Sequence, residues 1–524
     1  MRRWLKPLRV LLGLIVLAGL TAAFVDFRGL IPAPVAHALA SLQLAPALLV
    51  AISGGLAGAV ILVALTFLTL LFGRVYCSVL CPLGVLQDVI ARLAAGLGHR
   101  PLRFARELPW LRYGVLFAVL LAAFVGAGGF AVTLTDPYSN FGRLASGVLR
   151  PLVVSANNLF TPAAQSLDVH AWYHVPVAWP PWGVTLFAAV FFGLVVSLAA
   201  LRGRLYCNTL CPVGTLLGLV ARFAVFRLVV DRTACTKCAQ CLDSCKAQCI
   251  ELRHREIDAS RCVACFNCLG ACEQGALRYR FSWTATPTPA SAPTQIASAA
   301  PINAPRRAFL GGTLLLPPLA FLRAAESVAP AAALLPPVPT APVAPPGAGS
   351  VARLLDRCTA CQLCVSACPT QALQPSVLHY GWSGLAKPRL DFERAFCNFD
   401  CHRCAEVCPT GAIATLAREE KRRTSIGAAR FERSLCIVET AGTDCAACSE
   451  HCPTKAVETV PFRNNLRLPQ VRDELCIGCG ACEFVCPVRP RRAILVVARA
   501  EHTRAAKAVE AAPVIPRKTD DFPF

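Results

Sequence analysis

At 524 residues with 55% hydrophobic content and a mean hydropathy of +0.52, the chain is long enough for several domains and too apolar for an ordinary soluble protein. Its 52 Lys and Arg against 31 Asp and Glu give a net charge of +21, but many of the basic residues in the first half border apolar runs and no nucleic-acid-binding motif accompanies them, so membrane topology explains the charge better than nucleic acid does. Of the 29 cysteines, 24 fall into six groups of four, which favours metal ligation over disulfide stapling.

Four uncharged apolar runs, residues 10–25, 44–72, 113–135 and 182–201, predict four membrane spans. Arg2, Arg3, Lys6 and Arg9 precede the first, and Arg74, Arg92, Arg100, Arg103, Arg106 and Arg112 separate the second from the third. The other two loops carry only Arg28, Arg143 and Arg150. The excess puts the N-terminus and the 73–112 loop in the cytoplasm, with Trp172, Tyr173, Trp179 and Trp182 as an aromatic belt at the outer face.

The inner ends of spans two and four repeat one another: GRVYCSVLCPLGVL from Gly73 and GRLYCNTLCPVGTL from Gly203. The helix pairs read as a duplicated two-span unit. Cys77 and Cys81, one helical turn apart, and Cys207 and Cys211 in the second copy would meet at a pseudo-twofold axis as a metal or redox-active thiol site; the alternative is that they are small packing residues. Heme is not expected, because none of the nine histidines lies in the apolar runs and no strict CxxCH occurs.

Some thirty residues beyond the last span comes CTKCAQCLDSC, then CVACFNCLGAC. Each half is CxxCxxCxxxC, in which three thiolates wrap one iron-sulfur cube and the fourth ligates its neighbour. This assigns Cys235, Cys238, Cys241 and Cys272 to one 4Fe-4S cluster, and Cys262, Cys265, Cys268 and Cys245 to a second, on the cytoplasmic side. Zinc modules usually use two separated CxxC pairs. Lys246 and Glu273 stand where proline often follows the fourth cysteine, and Cys249 fits no group.

Four spans, twin CxxxCP motifs and a two-cluster segment resemble the NapH-type membrane quinol dehydrogenase ferredoxins of periplasmic nitrate reduction, over residues 1 to 280. Membrane ferredoxins of methylamine oxidation, nitrous oxide reduction and copper-oxidase assembly share the CxxxCP feature. The resemblance implies quinol as membrane substrate.

Residues 282–350 are rich in Pro, Ala, Ser and Thr and read as a linker. Within it, Arg306 and Arg307 before Phe309, Leu310 and a short apolar run resemble a twin-arginine export signal, which would carry everything after about Ser350 to the periplasm already folded. Small residues such as Ala329 and Ala331 offer cleavage sites behind it.

Residues 351–500 hold four more groups: Cys358, Cys361, Cys364 and Cys368; Cys397, Cys401, Cys404 and Cys408; Cys436, Cys445, Cys448 and Cys452; Cys476, Cys479, Cys482 and Cys486. Every fourth cysteine precedes proline, as in bacterial ferredoxins. Spacing leaves open whether the groups pair one with two and three with four, or one with four around two and three. This half resembles NapG-type periplasmic ferredoxins, so the chain looks like a NapH and NapG fusion, followed by a polar tail, residues 501–524, expected to be disordered.

The sequence therefore predicts an α-helical membrane domain of four spans (1–222), an α+β bacterial-ferredoxin-like module (223–281), a linker, and a four-cluster ferredoxin domain. Six 4Fe-4S clusters would carry electrons from the quinone pool of the bacterial inner membrane to a periplasmic reductase or cytochrome, nitrate reductase being the acceptor the resemblance favours. The competing reading is a maturation factor that keeps a partner's metal centre reduced.

Overall fold

The computed structural model describes residues 2–98, 108–126, 128–168, 172–281 and 341–507. The twin-arginine-like residues Arg306 and Arg307, and the rest of the 282–340 stretch, lie outside the described residues.

Thirteen α-helices are described between Arg2 and Ala221: α1 Arg2–Val25, α2 Ala33–Ser41, α3 Leu44–Ile52, α4 Leu56–Phe72, α5 Val75–Val79, α6 Pro82–Gly96, α7 Pro109–Phe124, α8 Gly128–Thr135, α9 Pro137–Leu144, α10 Arg150–Ser166, α11 Trp182–Arg202, α12 Leu205–Thr209 and α13 Pro212–Ala221. Two of them, over Trp4–Val25 and Trp182–Arg202, are long and apolar enough to cross a membrane, and the pair α2 and α3, bent by 86°, is a third candidate. Two predicted spans are not single helices. The run 44–72 breaks at Gly54, whose φ of +84° suits glycine, and α3 folds back on α4 so closely that a Cβ on Gly58 would lie 2.6 Å from Cβ of Val50. The run 113–135 breaks at Gly126, φ +79°, leaving α7 and the short α8. Continuous hydrophobicity registers burial in lipid or protein but not a reversal made by one glycine.

After α13 come two nested antiparallel pairs, β1 Phe226–Val230 with β4 Leu277–Phe281 and, inside them, β2 Ile250–Glu251 with β3 Glu256–Ile257. The last part is a set of short antiparallel pairs: β5 Leu373–Pro375 with β6 Pro388–Leu390, β8 Val457–Pro461 with β9 Arg467–Val471, and β7 Thr424–Phe431 with β10 Ile494–Arg504. Its limits differ from those expected. Val343 bridges Leu390 and Ser350 bridges Glu501, so residues 341–350 belong to the fold rather than to the linker, and the strand through Arg504 takes up the start of the expected tail.

The two cysteine-rich modules cap opposite ends of the helical body. The first module is held by Arg74 and Arg112, whose guanidinium groups donate to Ser260 O at 3.0 Å each, by Asn208 Nδ2 to Ala247 O at 3.0 Å, and by Tyr279 Oη to Phe72 O at 3.2 Å. The second is held by Ser146 Oγ to Gln362 Oε1 at 2.7 Å, Arg150 to Gln371 at 2.9 Å, and Arg394 to Trp179 O at 2.8 Å. Helices α1, α4, α7 and α11 run between these ends. Arg9 of α1 meets Asp88 beside the repeat while Phe24 packs on Tyr138 and Phe141 under the second module. In α11, Gly183 faces Val377 at one end, and Gly203 just beyond its last residue faces Lys246 at the other.

Candidate electron-transfer sites

In each unaltered CxxCxxC loop the second and fourth residues after the first cysteine take positive φ: Lys237 and Ala239, Ala264 and Phe266, Ala360 and Gln362, Gly478 and Gly480. Six of these eight are not glycine, a conformation that costs about 1–2 kcal/mol each and persists where a site requires it. The reversals turn peptide N–H groups inward, as Ala360 N does toward Cys358 Sγ at 3.3 Å. A cage of thiols lined by N–H donors fits an anionic iron-sulfur cube.

Six sets of four thiols result, every one crossed. Cys241 faces Cys235, Cys238 and Cys272; Cys268 faces Cys265, Cys262 and Cys245. Cys364 faces Cys358, Cys361 and Cys408, and Cys404 faces Cys397, Cys401 and Cys368. Cys448 faces Cys445, Cys436 and Cys486, and Cys482 faces Cys479, Cys476 and Cys452. The alternative left open by spacing is thereby settled for the thiol positions: groups one and two pair, as do three and four. Burial pushes the thiols up, Cys358 to about 11 and Cys361 to about 12, so binding metal there releases protons.

The sets form a series. The Cys358 set lies against the helical body, with Gly142 of α9 pressed on the Cys361 carbonyl and Tyr138 beside Cys361. Cys404 and Cys408 join it to the Cys397 set, Cys397 N donates to Cys479 O at 3.0 Å, and Cys448 lies near Cys482.

Cys249, which no spacing rule places, sits between two ligating cysteines of one set, Cys245 and Cys262. Its thiol is 3.7 Å from Cys245 Sγ and hydrogen-bonds Cys262 as well, which lowers Cys245 to about 6 and Cys262 below its usual range while raising Cys249 itself. With Cys245 and Cys262 both ligating one set, the Cys249 thiol is placed to hydrogen-bond two of its sulfurs. Because hydrogen bonds to ligand sulfur help set cluster potential, Cys249→Ala is expected to move one cluster's midpoint to a more negative value with the iron content unchanged, as measured by redox titration.

A cavity of about 640 Å³ lies between α2, α3 and α4 and the second module, lined by His37, Ser41, Arg353, Glu406 and Cys408 among others. His37 Nδ1 and Ser41 Oγ are buried and have no hydrogen-bond partner among the described residues.

Similarity to known proteins agrees with this geometry in the 341–507 module. The family description "4Fe-4S binding domain" matches residues 55–104 and 184–230, and "4Fe-4S dicluster domain" matches 357–413 and 442–490. The chain carries 4Fe-4S domains of ferredoxin type. It is 29% identical to the ferredoxin-type protein NapF of Escherichia coli over 28% of this chain and 80% of that protein. It is 27% identical to the ferredoxin-type protein NapH of Haemophilus influenzae over 36% of this chain and 53% of NapH, and 27% identical to the methylamine utilization ferredoxin-type protein MauN of Paracoccus denitrificans over 34% of this chain and 50% of MauN. The chain thus spans about half the length of the last two. No solved structure matches. These relatives support a Nap-type ferredoxin family and an iron-sulfur electron-transfer protein.

Proposed function

We propose that the protein is a membrane-bound quinol dehydrogenase component that passes electrons through the clusters of residues 341–507 to a periplasmic acceptor, with a Nap-type nitrate reductase the acceptor favoured by the resemblance. The observation that carries this reading is the row of thiol sets leading from the helical body, at Cys358 and Cys408, out to Cys436 and Cys445. Clusters bound there supply one-electron carriers. The protein's part is to fix their order and to surround their sulfurs with N–H donors.

Four crossings, by α1, α4, α7 and α11, are part of the proposal. At 17 and 16 residues, α4 and α7 reach about 26 and 24 Å, somewhat less than a hydrocarbon core of about 30 Å, a mismatch that local thinning accommodates. Their outward faces carry Val60, Val63 and Phe67, and Phe117, Leu120 and Leu121, all exposed, as a lipid-facing surface requires. The arginine distribution puts the 226–281 module in the cytoplasm, and the twin-arginine-like segment puts the 341–507 module outside.

The cavity beside Cys408 suits a quinol ring. Its helices border the lipid-facing surface, and His37 and Ser41 offer unpaired groups to the two ring hydroxyls. Oxidation of one quinol releases two electrons and two protons. With full-length protein in lipid vesicles, a short-chain quinol added without oxygen should bleach the cluster absorbance, and His37→Leu should slow that at least tenfold while leaving reduction by dithionite unchanged. Bleaching by dithionite but not by quinol in the parent protein would overturn the quinol reading, and slow reduction with tight retention of an immature partner enzyme would favour the maturation reading.

A further inference from the structure

Arginines inside the helical body are matched by acceptors at one end and left short of them at the other. At the duplicated GRxYCxxLCPxGxL segments they are exchanged between the copies. Arg74 of the first copy donates to Asn208 Oδ1 at 2.8 Å and Cys207 O at 3.1 Å in the second. Arg204 of the second donates to Cys77 O and to Asp88 Oδ1 at 2.9 Å in the first. The exchange brings Cys77, Cys81, Cys207 and Cys211 together, all four buried. Arg9 shares Asp88 with Arg204, and Arg74 also reaches Ser260 O. Each of these cations thus has a carboxylate or several carbonyl acceptors, as a buried charge requires.

The opposite end differs. A cavity of about 410 Å³ lies between the turn after α1, the start of α10 and the second cysteine-rich module, and Arg28, Arg150 and Arg403 line it together with Ser366 and Gln371. The Arg28 guanidinium donates to Asn157 Oδ1 at 2.7 Å and that of Arg150 to Gln371 Oε1 at 2.9 Å. Among the described residues neither has a second acceptor or a carboxylate at ion-pair distance, and the Nε atoms of both are buried without a partner. Asp26, the carboxylate in the lining, is taken up by its own turn, accepting from the backbone N–H groups of Arg28 at 3.1 Å, Gly29 at 2.8 Å and Ile31 at 2.7 Å. Burial lowers the Arg150 pKa although Cys368 and Asp26 face it, so nearby groups do not offset its desolvation. Ser366 is 3% exposed, and its Oγ has no partner among the described residues.

Guanidinium groups and a hydroxyl around an open space suit a tetrahedral oxyanion, because arginine binds phosphate oxygens in pairs. The neighbouring cluster does not account for them. Of the four thiols in its set, Cys368 and Cys401 border the cavity while Cys397 and Cys404 do not, so the space lies outside the cage. Lys421 already faces that set at Cys397. The surroundings are those of a lipid headgroup zone. Arg28 lies over the Trp172 ring at 5.1 Å, and Val175, Pro176 and Ala178 of the cavity wall fall in the chain between Tyr173 and Trp179, both exposed. Leu30 and Leu152, next to the lining residues Gly29 and Pro151, are exposed as well.

We infer that Arg28, Arg150, Arg403 and Ser366 form a binding site for an anionic phosphate group, carried on a membrane lipid or free in solution, beside the cluster set of Cys368 and Cys401. This goes beyond the electron-transfer reading and borrows from it only the cluster that reports binding. A bound anion opposes the extra negative charge of a reduced cluster, so it moves that midpoint to a more negative value. The site thereby couples lipid composition, or phosphate level, to the second station of the series that starts at the Cys358 set.

Redox titration of the full-length protein, prepared without oxygen and placed in phosphatidylcholine vesicles, tests this. Adding phosphatidylglycerol to the vesicles, or exchanging chloride for inorganic phosphate at constant ionic strength, should move the midpoint of the Cys397 set to a more negative value and leave the others in place. A shift with phosphatidylglycerol alone assigns the site to a headgroup, and a shift with inorganic phosphate assigns it to the free anion. Arg28→Gln with Arg150→Gln should abolish the shift with iron content unchanged. Ser366→Ala keeps all three cations and the bonds to Asn157 and Gln371, so it guards against loosening of the interface in the double variant. It should need about tenfold more of the same probe for half the shift, the loss of one hydrogen bond to a charged group. No shift in the parent with either probe, or an equal shift in the parent and both variants, would overturn the inference and leave the arginines as counter-charges to the cluster alone. Quinol-dependent bleaching in the same vesicles reports on the electron-transfer reading separately, so failure of one is distinguishable from failure of the other.

Discussion

Cys408→Ser is expected to remove the iron held by Cys358, Cys361 and Cys364, and to spare that held by Cys397, Cys401 and Cys404 in its own motif. The thiol of Cys408 faces the earlier group, whereas Cys368 faces the later one. Loss of about four iron atoms should follow, and because the affected set is the one in contact with the helical body, electron delivery from that body to the outer sets should fall by about two orders of magnitude or more, since the first station is missing. Iron analysis with Mössbauer or paramagnetic resonance spectra of the single variant checks the first part, and single-turnover reduction checks the second. If the spectrum of the Cys397 set were lost instead, the crossed arrangement would be wrong.

The second large effect is expected from a residue that ligates nothing. Gly142 presses α9 onto the Cys361 carbonyl, and a Cβ there would also approach Phe24, at 2.7 Å from its ring. Gly142→Val must separate the surfaces, at a cost of about 1–3 kcal/mol or more. Every cysteine remains in place, so iron content should match the parent while quinol-dependent reduction of the 341–507 clusters drops at least tenfold and dithionite reduction does not. Gly147 is the control, because it is also buried but a Cβ added there would meet nothing nearer than Pro180 at 4.0 Å. Gly147→Ala should leave both rates near those of the parent.

Much of the site is legible in the residues because iron-sulfur ligation writes itself into short spacings. The CxxCxxC loops fold locally, and their fourth cysteines announce themselves by the CxxxC step; in the second half the following proline does so too. The crossed partners in that half are not legible, since they depend on which loops the pairs β5 with β6, β7 with β10 and β8 with β9 bring together. Cys249 escapes a reading by spacing because, though only four residues from Cys245, it fits no ligand pattern; the fold of β2 and β3 brings it to Cys262 as well. The four apolar runs locate the helices yet overstate their continuity, because Gly54 and Gly126 reverse the chain without interrupting its hydrophobicity. Arg74 and Arg112 count in the sequence as loop charges that orient the chain, and both are fully buried, donating to Ser260. A tally of positive charge cannot distinguish a cation facing cytoplasm from one that anchors a domain.

The exchange of Arg74 and Arg204 between the repeats also bears on how the protein is made. When the ribosome has delivered residues 1–98, Asp88 has met Arg9 but neither Arg204 nor Lys246, and Arg74 has none of Asn208, Cys207 or Ser260 to receive its hydrogen bonds. The first half therefore holds a cation, Arg74, whose acceptors are more than a hundred residues away, and a carboxylate that has met one of its three cationic partners. A chain truncated before Cys207 would carry Arg74 in an apolar interior without any of these acceptors, so the two halves of the helical body complete one another's polar contacts.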